Sequence, residues 1–170
     1  VQDNRLEKTY KPKKEKGEIF EVINLCDINM IKGTWLILAR TNPLLKPISS
    51  ILKNKGLFFK TVDGNSIAKN LYEDKLNWDK MRKGETIPEI QEQRLLEKIK
   101  GKPNFNLEWY DAFTNVASAK IDYLRVMLSN GEKIDKDPRI TVSTIHSAKG
   151  GEATNVVLFL NQTINTIKAS

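Results

Sequence analysis

The chain has 170 residues, 28 of them Lys or Arg and 21 Asp or Glu, so its formal charge is +7 with the single histidine neutral. With 39% hydrophobic and 29% charged residues, it is too apolar for a disordered chain and too polar for a membrane protein. One cysteine excludes an internal disulfide framework and a Cys-based zinc cluster, and one histidine excludes His-rich metal sites.

In chain order, residues 1–17 are polar and Lys-rich around Pro12 and read as an arm or linker. Ile19–Ile23 has the pattern of a short strand. Cys26 reads as a small buried apolar residue. Thr34–Ala39 is a nearly continuous apolar run after Gly33, which fits a strand buried on both faces of a parallel sheet. Thr41 or Asn42 can then cap a helix, with Pro43 in its first turn. Leu44, Leu45, Ile48, Ile51 and Leu52 recur at helical spacing, and Gly56 stands where a C-terminal cap belongs. Leu57–Val62 is a further strand. Residues 34–62 therefore read as a βαβ unit.

Residues 64–136 are charged and helical in pattern. One helix is expected from Asn65 or Ser66 towards Lys83, with Ile67, Leu71, Leu76 and Trp78 inward. A second runs from Pro88 to Gly101, with Ile90, Leu95, Leu96 and Ile99. A third spans Leu107 to Asn130 and stops at Gly131. Trp78 and Trp109 read as core of these helices rather than as base-stacking platforms. The strand pattern returns at Arg139–Ile145 and again at Asn155–Leu160.

The expected fold is α/β: a parallel sheet with flanking helices, interrupted by a small, mostly helical insertion. The sheet domain is discontinuous, over 18–63 and 138–170, and the insertion is 64–137. Charge follows this division. Residues 1–60 carry +6, 61–137 carry −1 and 138–170 carry +2. A basic surface favours polyanions such as nucleic acid. No apolar run approaches the roughly 18 residues of a membrane span, and no basic-then-apolar leader opens the chain. A cytoplasmic, reducing location without membrane contact is the expectation.

The segment richest in chemistry is Thr144-Ile145-His146-Ser147-Ala148-Lys149-Gly150-Gly151-Glu152, between two expected parallel strands. Open parallel sheets bind ligands at the carboxyl ends of their strands. Hydroxyls, a lysine, two glycines and a carboxylate there can hold phosphate and sugar groups, because glycines let backbone N–H groups approach an anion. A solvent-exposed turn is the alternative. Arg40 also ends a buried strand, where it could clamp a phosphoryl group or simply be a surface arginine. There is no G-x-x-x-x-G-K-[ST] phosphate loop and no Asp-Glu pair to hold Mg²⁺. Ser147 and His146 make a poor nucleophilic pair, since adjacent residues on an extended segment point to opposite faces.

The run from Thr144 to Glu152, with Val156-Val157-Leu158 after it, resembles motif V of superfamily 1 DNA helicases of the UvrD/Rep type, T-[LI]-H-S-A-K-G-L-E-F-x-x-V. Leu36–Asn42, followed by a helix and a short strand, resembles motif IV of that family. Gly151 stands where the family has Leu, and Ala153 where it has an aromatic residue. The resemblance implies a second RecA-like motor domain, called 2A, with a reduced 2B-like insertion between the two motifs.

Under that resemblance Arg40 is the catalytic arginine, reaching the γ-phosphate of ATP across a cleft. Glu152 and Gly150 bind the nucleotide. Thr144, His146, Ser147 and Lys149 lie along single-stranded DNA. ATP and Mg²⁺ belong to the complete helicase, with none bound by the fragment alone, and no metal site is expected in this chain. The implied partners are single-stranded DNA and the missing first RecA-like domain, which carries motifs I to III. Motif VI is expected after residue 170. The chain alone is therefore expected to be inactive as an ATPase. The rival expectation is a non-catalytic DNA- or protein-binding module of a helicase-like protein.

Overall fold

The computed structural model describes residues 16–160. Most of the expected N-terminal arm, and the tail from Asn161 to Ser170, lie outside the described residues. Five strands form one sheet: β1 (Trp35–Ala39), β2 (Phe59–Thr61), β3 (Gly64–Asn65), β4 (Ile140–Thr144) and β5 (Asn155–Phe159). Their spatial order is β3-β2-β4-β1-β5. β2, β4, β1 and β5 are parallel, and β3 runs antiparallel to β2. The fold is α/β with a mixed sheet, not the purely parallel one expected. The extra strand follows from the two-residue turn Val62-Asp63, which leads into Gly64 at φ +113°.

The expected βαβ unit forms, but β4 lies between its two strands. Its helix, α1 (Leu45–Asn54), contacts β4 and buries Ile48 and Leu52 completely. They share one apolar cluster with Ile37, Ile140 and Val142. Register sets the two faces of the sheet. Ile37, Val142 and Val157 are aligned on the covered face, whereas Leu36, Thr141 and Val156 are aligned on the other. On that second face β5 leaves Val156 and Leu158 half-exposed. β5 is one of the two edge strands among the described residues, with β3 at the other side.

Ile19–Ile23 is not a strand. It has no regular structure, and Ile19 and Ile23 are fully exposed. A strand pattern is realised only through pairing, and none of the five strands lies beside this segment. Cys26 is exposed rather than buried. It sits in a 3₁₀ turn, Leu25–Asp27, where the Cys26 backbone N–H donates to Asn24 Oδ1 at 3.0 Å. The apolar anchors of this stretch are Leu25 and Met30.

The insertion contains α2 (Lys69–Arg82), α3 (Glu89–Leu96), α4 (Trp109–Ala112) and α5 (Ser118–Ser129). The single helix expected over Leu107–Asn130 is broken between α4 and α5. Thr114 and Asn115 explain the break, because they serve the end of α3 instead. Asn115 donates to the carbonyls of Glu97 and Lys98, each at 2.8 Å, through its side chain and backbone respectively. Thr114 Oγ1 accepts from the Lys100 backbone N–H at 2.8 Å. Polar side chains that satisfy a neighbouring helix terminus compete with helix continuation. Leu76 and Ile90, expected inward, are exposed, whereas Trp78 and Trp109 are buried.

Trp78 centres this core. Its ring lies 4.9 Å from that of Phe105 and 6.0 Å from that of Phe113, and its Nε1 donates to Leu107 O at 3.1 Å. Asp74, fully buried on α2, accepts from Arg94 Nε on α3 at 2.6 Å. The guanidinium is held above its ordinary range chiefly by that hydrogen bond, against the opposing effect of burial. Helices and sheet share one continuous cluster of buried side chains.

Candidate functional site

β1 and β4 are neighbours in register, with Ala39 opposite Thr144. Both strands therefore deliver their following residues to the same edge of the sheet. Arg40 follows β1 and Ile145 follows β4, and the Ile145 backbone N–H donates to Ala39 O at 3.0 Å. Arg40 is exposed and forms no ion pair among the described residues. Thr41 follows it with its hydroxyl buried and without a hydrogen-bond partner among the described residues. The caps expected of Thr41 and Asn42 are not made by a side chain; Asn42–Leu44 is a 3₁₀ turn leading into α1.

The segment after β4 is a compact turn. Thr144 is buried, and its hydroxyl organises that turn. Thr144 Oγ1 donates to Ser147 Oγ at 2.9 Å and accepts from the Ser147 backbone N–H at 3.2 Å. Ala148 N–H returns to Thr144 O at 3.0 Å, and Gly151 N–H to Ala148 O at 2.8 Å. Gly150 adopts φ +86°, with open space where a side chain would stand. At Gly151 a Cβ would lie 3.1 Å from Ala148 O and 3.7 Å from Leu36 Cδ2. Gly151 thus lets the turn close tightly on the Ala148 carbonyl, with Leu36 of β1 at ordinary van der Waals distance.

That placement creates a cavity of about 360 Å³. Ser147, Lys149 and Glu152 line it together with Lys60, Thr141 and Ser143 from the sheet. Lys60 and Thr141 are a surprise at this site. They are in register across β2 and β4, and strand pairing alone brings them there. Two ammonium groups, hydroxyls and one carboxylate suit phosphate oxygens and sugar hydroxyls. His146 is exposed at the tip and lies outside this lining, as does Arg40. The structure therefore assembles Ser147, Lys149 and Glu152 in one concavity, with Thr144 beneath them. The cavity extends over the sheet face to Thr34, Trp35, Pro138 and Arg139 at the amino ends of β1 and β4, and Arg40, His146 and Gly150 are not among its lining residues. Among the described residues, no group of three or more His, Cys, Asp or Glu side chains converges, and no helix is long and apolar enough to cross a membrane.

No protein-family model, curated protein or solved structure matches this chain.

Proposed function

We propose that this chain is part of the second RecA-like motor domain of an ATP-dependent DNA helicase or translocase, with a reduced 2B-like insertion. The observation that carries the reading is the pairing of Ala39 with Thr144. It sets the two motif-like segments side by side at the carboxyl edge of a parallel core, where α/β proteins take ligands. The residues of the cavity fit the chemistry. Lys149 and Lys60 can neutralise phosphate oxygens, and Glu152 can accept from a sugar hydroxyl. ATP supplies the free energy of the motor when bound between this domain and its partner domain. Arg40 would meet the phosphoryl group from this side. His146 and Ser147 would face single-stranded DNA, and Thr144 would hold Ser147 in place.

The test is single-stranded DNA binding by anisotropy across a salt series. Replacing Lys149 with Ala should reduce the log–log salt slope by about 0.7, the share of one phosphate contact on a single strand. An unchanged slope counts against the reading. In the longer polypeptide that includes the first motor domain, Arg40→Ala should lower kcat of ATP hydrolysis with little change in KM. DNA binding without any ATPase in that polypeptide would favour a non-catalytic binding module instead.

A further inference from the structure

A second concave surface lies away from the candidate site and shares no lining residue with it. It is a groove of about 870 Å³ bounded by the end of α1, the start of α2, the end of α3 and one side of α5. Three lysines face it: Lys53 from α1, Lys98 just beyond α3 and Lys120 from α5. None of them has a carboxylate partner among the described residues. A single carboxylate, Asp122, lines the groove. Lys98 and Lys120 come from the segment 61–137, which as a whole carries −1, and folding brings them to the same groove as Lys53 of α1.

The backbone adds to the field. The N-caps of α2 and α5 are Ala68 and Ala117, neither of which supplies a side-chain hydrogen bond, and neither first turn contains an acid. Both residues line the groove. Their free N–H groups and helix dipoles favour negative charge. The lining on α5 runs from Ala119 to Val126, about 10 Å of helix at roughly 1.5 Å per residue.

We propose that this groove binds the phosphodiester backbone of a nucleic-acid strand, as a contact separate from the motif-bearing edge. The choice of nucleic acid as the polyanion rests on the functional reading above. The groove supplies affinity without sequence preference, because lysines, amide groups and helix N-termini read phosphates and not base edges.

The experiment compares the salt dependence of binding for the full chain, the triple variant Lys53→Gln/Lys98→Gln/Lys120→Gln, and the variant Lys149→Ala/His146→Ala. Probes are a single-stranded oligothymidylate, a duplex of equal length and inorganic polyphosphate, with circular dichroism confirming the fold of each variant. The triple variant should lower the log–log slope by about 2 on the nucleic acid that fits the groove. Tighter loss on the single strand than on the duplex identifies the occupant as a single strand, and the reverse identifies a duplex. An unchanged slope in the triple variant, with binding lost in Lys149→Ala/His146→Ala, overturns the groove alone. A lowered slope in the triple variant with no effect of Lys149→Ala/His146→Ala keeps the groove and removes the motif-based reading. A lowered slope on polyphosphate alone overturns the nucleic-acid assignment.

Discussion

Tyr123 Oη donates to Leu57 O at 2.6 Å, and this bond joins the last helix of the insertion to the entry of β2. Ser66 Oγ lies 2.7 Å from the same phenol oxygen and accepts from the Phe59 backbone N–H at 3.2 Å. The phenol has one proton, and the carbonyl takes it. The Ser66 hydroxyl must therefore donate to Tyr123, giving a chain of donors Phe59 → Ser66 → Tyr123 → Leu57. Replacing Tyr123 with Phe strands the buried Leu57 carbonyl. It should cost about 1–3 kcal/mol in urea unfolding; Ser66→Ala leaves the Tyr123–Leu57 bond intact but strands the buried Phe59 N–H, and should cost a comparable amount.

Burial pushes the Tyr123 phenol well above its ordinary value of 10.0, outweighing the hydrogen bond from Ser66. A raised folded-state value means that the native state holds its proton after the unfolded chain has released it. The contribution is complete below pH 10 and is lost as pH rises beyond it. Stability measured from pH 8 to 11.5 should fall more steeply for the native sequence than for Tyr123→Phe. Parallel curves would show that the phenol does not set the alkaline limit.

Gly56 ends α1 in a left-handed conformation, φ +63°, and a Cβ there would overlap Val126 Cγ1 on α5. Gly56→Ala carries two separate penalties, backbone strain of about 1 kcal/mol and overpacking of about 1–3 kcal/mol. Adding Val126→Ala should relieve the overlap with Val126 Cγ1 but leave both the backbone strain and the contact with Asn130 Nδ2, which lies 2.8 Å from such a Cβ. Denaturant midpoints of the single and double variants measure the share that Val126 contributes.

Arg94 is the hydrogen-bonding cation of Asp74, whose second carboxylate oxygen is buried and has no hydrogen-bond partner among the described residues. Arg94→Ala leaves a buried carboxylate without its counter-ion and should cost about 3–5 kcal/mol. The double variant Arg94→Met/Asp74→Leu should recover much of that loss, since an apolar pair requires no compensation for desolvation. If it does not, the pair is worth more than its replacement and the helices depend on it for alignment.

The sheet and the motif-like edge were legible from residues 34–62 and 139–160, because buried parallel strands are written as continuous apolar runs with polar turns between them. The intrusion of β4 between β1 and β2 was not, since strand order depends on contacts made across the insertion. The break before Ser118 was hidden for a related reason. Leu107–Asn130 has an unbroken helical pattern, and only the position of α3 gives Thr114 and Asn115 another task. Lys60 escaped notice at the candidate site because its place there comes from pairing between β2 and β4. Lys53, Lys98 and Lys120 are far apart in sequence, so no local window contains the groove. Ile19–Ile23 shows the opposite case, a local pattern with no strand beside it among the described residues.

From Thr154 to Leu160 the chain has no charged residue, and β5 forms one edge of the sheet among the described residues. On its outer side the backbone amides and carbonyls have no strand partner among the described residues and sit beside Val156 and Leu158, the kind of edge that can template pairing with another chain. Pairing at such an edge is second order in protein, so concentration would enter its thermodynamics as a variable in its own right.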